Sequence, residues 1–202
     1  MRYKSLVTAI LGLVVVASPA WADDIVPPAW RGLSGSSWAE WEYSTPIPNP
    51  APDRGFLPYG MPTTQVYPGV GQNWWDILNG RQGVWPLSGE IWIGFPNQQL
   101  ELPYKDIYIQ LTWEEQAPGN RPIVLTTAPQ QINGTLVHEV PLGGLWKHSI
   151  YTIRLEPNPP WEQILITGGV DVDQVVIDTR CFPEPATLGL LALGGVALLR
   201  RR

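Results

Sequence analysis

The chain has 202 residues, with 18 Asp and Glu against 13 Lys and Arg, 2 His, 1 Cys and a formal net charge of −5. This acidic balance excludes electrostatic binding to nucleic acid or to an anionic leaflet, either of which needs a basic patch. A single cysteine excludes an intramolecular disulfide, so the fold has to be held by burial.

Residues 1–22 start with Arg2 and Lys4, continue through an apolar run over 6–17 and end in Ser18-Pro19-Ala20-Trp21-Ala22. A basic start, an apolar centre and a small-x-small ending predict a secretory signal helix cut between Ala22 and Asp23. A body over 23–182 follows, a length usual for one domain with one core. Arg2, Lys4, Arg200, Arg201 and Arg202 all lie outside it, which concentrates the negative charge in the body.

The first half of the body is dense in proline: Pro27-Pro28, Pro46, Pro48, Pro50 and Pro52, then Pro58, Pro62 and Pro68. Each stops a helix before it can propagate, so this half is expected to supply long loops and an edge strand or two. Residues 36–43 alternate, with Trp41 and Tyr43 on one face and Trp38, Glu40 and Glu42 on the other, which predicts a strand. Trp74-Trp75-Asp76-Ile77-Leu78, closed by Asn79-Gly80, is the one candidate for a helical turn.

The second half is regular. Residues 89–95 give a short strand with Ile91, Ile93 and Phe95 on one face. Residues 106–114 set Ile107, Ile109, Leu111 and Trp113 against Asp106, Tyr108, Gln110, Thr112 and Glu114, the pattern of an antiparallel strand with one wet face. Segments 122–127 and 135–140 flank Asn133-Gly134, a hairpin signal. Segments 149–155, 163–167 and 170–179 follow, separated by Pro157-Asn158-Pro159-Pro160 and Gly168-Gly169. Short strands punctuated by turn signals, with no long amphipathic helix, predict an all-β, antiparallel β-sandwich of jelly-roll-like form.

Tryptophan is the compositional outlier, 11 against 3 Phe. Its flat apolar face and single N–H donor suit the C–H faces of sugar rings. Trp41 and Trp113 fall in phase with apolar neighbours and are expected in the core, whereas Trp38 and Trp92 fall on the opposite face. Trp74 and Trp75 are adjacent, so a strand cannot turn both toward one core. With Trp30 they are the candidate ligand-facing residues, the alternative being that they anchor loops. Asp171 and Asp173 share a strand face at about 6.5 to 7 Å, a spacing compatible with a glycosidase carboxyl pair. With Asp178 or a loop carbonyl they are also the candidate Ca²⁺ ligands, since calcium takes oxygen donors. No cofactor is otherwise implied. Glu114-Glu115 reads as solvated. His138 and His148 read as ordinary polar residues, because zinc needs three or four ligands and no Gly-x-Ser-x-Gly elbow is present. Cys181 reads as a bystander near a strand end or as a thiol for intermolecular pairing.

The chain closes on Pro183-Glu184-Pro185, an uncharged run over 186–199, and Arg200, Arg201 and Arg202. As a helix that run spans about 21 Å, short of about 30 Å of bilayer hydrocarbon, so a short transmembrane helix here suits transient anchoring, with the arginines held on the cytoplasmic side. Tripeptide, short apolar helix and terminal basic cluster, in that order, resemble the PEP-CTERM sorting signal of bacterial envelope proteins. The resemblance implies processing by an exosortase and delivery of the body to the cell surface or extracellular matrix.

Segments of the body are also similar to exported bacterial proteins that end in the same signal. These are Pro28-Ala29-Trp30-Arg31-Gly32, Trp41-Glu42-Tyr43, Pro58-Tyr59-Gly60-Met61-Pro62, Gln110-Leu111-Thr112-Trp113, Glu156-Pro157-Asn158-Pro159 with Glu162, and the stretch from Val172 through Asp178 to Cys181. That similarity carries no activity. The closing strand resembles the last strand of carbohydrate-binding jelly rolls. Together these features lead to an exported, non-catalytic surface or matrix protein associated with polysaccharide. The alternative is a secreted hydrolase acting on glycans or esters, which would need two carboxylates, or a nucleophile and base, in one cleft.

Overall fold

A computed structural model of the chain describes residues 23–182; the expected signal helix and sorting tail lie outside the described residues. Among the described residues there is no helix, and thirteen strands are arranged in two antiparallel sheets. The strands are β1 (Ser36–Trp41), β2 (Arg54–Phe56), β3 (Thr63–Tyr67), β4 (Trp75–Leu78), β5 (Arg81–Leu87), β6 (Glu90–Pro96), β7 (Tyr104–Glu115), β8 (Ile123–Ala128), β9 (Ile132–Asn133), β10 (Thr135–Gly143), β11 (Trp146–Leu155), β12 (Trp161–Thr167) and β13 (Val170–Phe182).

The larger sheet runs β10-β11-β7-β13-β1-β2, and β5, with β4 beyond it, joins β13 beside β1. The 13-residue β13 is its centre. It pairs with β7 along one edge and, along the other, with β5 through Val170 to Val172 and with β1 from Val175 to Arg180. A bulge between Val172 and Gln174 lets one strand serve both partners, since the extra residue resets the pleat. The smaller sheet runs β3-β6-β12-β8-β9.

The inner faces of the two sheets share one core. Ile107, Ile109, Leu111 and Trp113 from β7 and Val175 and Ile177 from β13 meet Ile91, Ile93 and Phe95 from β6 and Ile164 and Ile166 from β12. All of these follow the period-two alternation of their strands. Trp41 and Trp113 are both in this core, as their phase predicts, and Trp38 and Trp92 stand half-buried on the outer faces.

Three expectations are corrected. Residues 75–78 form a strand, not a helical turn. Asn79 and Gly80 both have positive φ (47° and 85°) and make the two-residue turn of the β4–β5 hairpin, a geometry whose twist matches the strands it joins. Asn133-Gly134 is not a hairpin turn: β9 pairs with β8 in the smaller sheet while β10 pairs with β11 in the larger, so the chain changes sheets here. A Cβ at Gly134 would stand 2.9 Å from the Val124 carbonyl oxygen, so the crossing needs glycine. The third correction concerns the outer face of β7. Gln110, Thr112 and Glu114 are buried, not wet, because Asp24 and Val26, His148 and Asn79 lie against them.

Candidate functional site

Trp74 and Trp75 separate, as adjacent residues entering a strand must. Trp74 is half-buried against the core, and its indole N–H donates to the Tyr43 carbonyl at 2.8 Å. It anchors the loop. Trp75, 53% exposed, is the face left for a ligand. The two line a cleft of about 570 Å³ together with Gln72, Asn73, Gln116 and Asp171. Gln116 donates to the Asp171 carboxylate at 2.8 Å, which orients the acid, while burial pushes its pKa up. The cleft thus sets an exposed indole beside amide and carboxylate groups, the combination that stacks on a sugar ring and hydrogen-bonds its hydroxyls.

The other predicted residues are placed elsewhere. Trp30 lines a separate cleft of about 300 Å³ with Asp106, Tyr108 and Arg154. Asp173 is the bulged residue of β13 and pairs with Arg81 at 3.1 Å, so Asp171 and Asp173 are engaged by different partners. Among the described residues no three His, Cys, Asp or Glu side chains are grouped to hold a metal ion. Cys181 is buried and its thiol donates to Asn158 Oδ1 at 3.2 Å, with burial pushing its pKa up. A third cleft, on the outer face of the smaller sheet, is lined by Trp92, Tyr67, Glu90 and Gln163.

The outer face of the larger sheet carries a polar layer that the sequence does not announce. Residues 23–31 lie across it. Arg31 binds Asp178 in a two-bond fork, 2.5 Å through Nε and 2.6 Å through Nη2, and also binds Asp24. Asp24 accepts from the Gln110 amide at 2.6 Å. The Val26 backbone N–H donates to Gln110 Oε1 at 3.1 Å, and its carbonyl accepts from the Tyr108 hydroxyl at 3.0 Å. Arg81 bridges Asp23 and Asp173. Gln174 donates to the buried Glu40 at 3.0 Å. Glu114, expected to be solvated, is buried and accepts from Asn79 at 2.6 Å; His148, expected as an ordinary polar residue, is fully buried beside Thr112.

Burial is the leading cause of the altered proton affinities in this layer. It pushes Glu40 and Asp173 up to about 7 and Asp178 to about 6, against the partial opposition of Arg54, Arg81 and Arg31. It also raises Glu114 and lowers His148. Since these carboxyls hold protons more tightly folded than unfolded, their contribution to stability is complete below about pH 4 and is lost as pH rises through about 6 to 7. The protein is therefore expected to unfold less readily at about pH 5 than at about pH 8, by several kcal/mol less the part that His148, which burial makes harder to protonate, takes back at the lower pH. Denaturant titrations at the two pH values measure this, and equal midpoints would show that the three carboxyls are ionised in the fold.

No protein-family model matches the chain, and no curated protein matches it in sequence. Among solved structures it is similar to a family GH115 4-O-methyl-α-glucuronidase with specificity for decorated arabinogalactans, at 14% identity and a TM-score of 0.31 over 68% of this chain and 17% of that one. It is also similar to a carbohydrate-binding module that recognises mannan, at 12% identity and a TM-score of 0.23 over 70% of this chain and 94% of that one. The chain spans about a sixth of the glucuronidase.

Proposed function

We propose that residues 23–182 form a jelly-roll-like β-sandwich that binds polysaccharide without catalysis, carried to the cell surface or matrix on an exported chain whose tail an exosortase processes. The observation that supports binding most directly is the exposed Trp75 indole in a cleft with Asn73, Gln116 and Asp171. Among the described residues Asp171 is the one carboxylate lining that cleft, whereas glycoside hydrolysis uses two. The buried acids of the polar layer are engaged by Arg31, Arg81 and Gln174, which suits support better than proton transfer to a substrate.

Trp75→Ala is expected to lower affinity for a retained polysaccharide by about thirtyfold, the loss of a central aromatic contact of about 2 kcal/mol, with the unfolding midpoint unchanged. A polysaccharide panel read by affinity electrophoresis identifies the ligand and tests the variant. Binding unaffected by Trp75→Ala would remove this cleft from the function.

The sorting part of the proposal rests on Pro183-Glu184-Pro185, the run over 186–199 and Arg200, Arg201 and Arg202. Proline is disfavoured in a helix interior and arginine is costly to move through hydrocarbon, which supports reading the tripeptide as a cut site and the basic cluster as a stop. Changing Pro183, Glu184 and Pro185 to alanine is expected to leave export intact and hold the uncut chain in the membrane. Intact mass of the surface-released protein decides this: a wild-type chain that still carries Arg202 would refute processing.

A further inference from the structure

Lys105, Asn97 and Glu162 form a closed set between the two sheets. Lys105 stands on β7 of the larger sheet at a position that strand alternation assigns to the core, next in phase before Ile107. Glu162 is on β12 and Asn97 directly follows β6, both of the smaller sheet. The Lys105 and Glu162 side chains are 0% exposed and Asn97 is 1% exposed. The Lys105 amine donates to Glu162 Oε1 at 2.6 Å and to the side-chain carbonyl oxygen of Asn97. The Asn97 amide nitrogen donates to Glu162 Oε2 and to the Pro159 carbonyl, the latter at 2.7 Å. The Phe95 ring lies beneath the amine, 5.6 Å from its centroid.

An ion pair alone would need two residues. Here the amine rests on a carboxamide, and one carboxylate bridges the amine to the amide nitrogen. That is the arrangement of a nucleophile, an acyl group and a proton carrier held in contact in a dry site, where positioning supplies much of the barrier reduction. Burial disfavours both charges, lowering the Lys105 pKa and raising that of Glu162, so the neutral amine and neutral acid become accessible along their hydrogen bond.

We propose that Lys105 and Asn97 join in an intramolecular amide cross-link that the folded protein forms on itself, with Glu162 carrying the proton. The Lys105 ammonium first passes a proton to Glu162. The free amine pair attacks Asn97 Cγ, forming the Cγ–Nζ bond and moving the carbonyl π pair onto Oδ1. Glu162 then delivers its proton to the amide nitrogen while Nζ returns one to the carboxylate. The carbonyl re-forms, the Cγ–Nδ2 bond breaks and ammonia leaves. Five nitrogen-bound hydrogens become one on the new amide, three on ammonia and one on Glu162, which ends as a neutral acid; nothing is oxidised or reduced. Two buried charges vanish from the core, and β7 becomes covalently tied to the end of β6 in the opposite sheet. A chain whose one cysteine rules out an internal disulfide acquires a staple by other chemistry.

Mass spectrometry of the purified full-length chain, denatured after folding, tests this. The wild type is expected about 17 Da below its sequence mass, the mass of ammonia, with trypsin unable to cut after Lys105 and a branched peptide joining Asn97 to Lys105. Lys105→Arg and Glu162→Gln are expected at full sequence mass. Asn97→Asp, by losing water, is expected to end at the same mass as the cross-linked wild type. A wild-type chain at full mass with Lys105 cleaved by trypsin overturns the proposal. So does a 17 Da loss that leaves Lys105 cleavable, which marks a succinimide at Asn97. The wild-type measurement stands by itself if a variant fails to fold.

Discussion

Trp113→Ala is expected to destabilise the protein by about 3 to 5 kcal/mol, the usual cost of deleting a large buried aromatic. The ring is 0% exposed and continues the apolar row of Ile107, Ile109 and Leu111 into the shared core. Its loss also reaches beyond the cavity. The indole N–H donates to Ser149 Oγ at 2.9 Å, and that hydroxyl in turn donates to Glu139 at 3.0 Å, so the alanine variant strips a buried hydroxyl of one partner. The Lys147 ammonium, 4.9 Å from the ring centroid, loses its aromatic support as well. Chemical denaturation measures the change. A loss below about 1 kcal/mol would mean that β7 does not present this face to the core.

Arg31→Ala is expected to cost about 3 kcal/mol, because it leaves the Asp178 carboxylate, itself 0% exposed, without the guanidinium that binds it through two bonds. The same change leaves Asp24 with only the Gln110 amide and removes the cation stacked 4.6 Å over Trp38, so residues 23–31 lose part of their hold on the sheet. Two controls separate the unpaired charge from lost packing. The deficit should narrow as pH falls toward about 6 from above, because without Arg31, which opposes the effect of burial, Asp178 takes up its proton at a higher pH than in the wild type and no longer needs a partner. Asp178→Asn placed on top of Arg31→Ala should recover part of the loss, since a neutral amide is cheaper to leave in that position. A deficit that does not change with pH and is not relieved by Asp178→Asn would assign the effect to packing alone.

These two residues mark the boundary of what can be read from the sequence. Trp113 is legible because period-two alternation over 106–114 fixes its phase, and the same rule places Ile91, Ile93 and Phe95 correctly. Arg31 is not. Its partner is 147 positions away, and no local pattern says that a proline-rich segment lies over the outer face of β13. Glu40 and Glu114 are hidden for the same reason: alternation assigns them to the outer face but cannot say that the face is covered, and Gln174 joins them only through the bulge before it. Lys105 escapes because a charged residue at the head of the β7 pattern looks like its boundary, whereas the structure continues the inward phase through it. Asn79-Gly80 misleads because positive φ serves both a helix end and a tight hairpin. The deciding signal lies downstream in β5, whose Gly83 and Pro86 obscure its strand character. At the candidate cleft, the loop tryptophans are legible as a pair, but the division of labour between Trp74 and Trp75 is not, since it depends on the Tyr43 carbonyl.

The central position of β13 has a consequence for assembly during synthesis. Among the described strands this one is made last, yet β1, β5 and β7 all pair with it along one edge. Until it arrives the larger sheet has no keystone: β1 has only β2 and β5 only β4, so each keeps one edge unpaired and lacks the neighbour that sets the two side by side. Residues 23–31, made first, likewise wait for Asp178 on that strand. The beginning and the end of the body therefore close on each other, although the smaller sheet and the β7-β11-β10 set can pair before β13 is made. The larger sheet closes only once the chain through Phe182 is available.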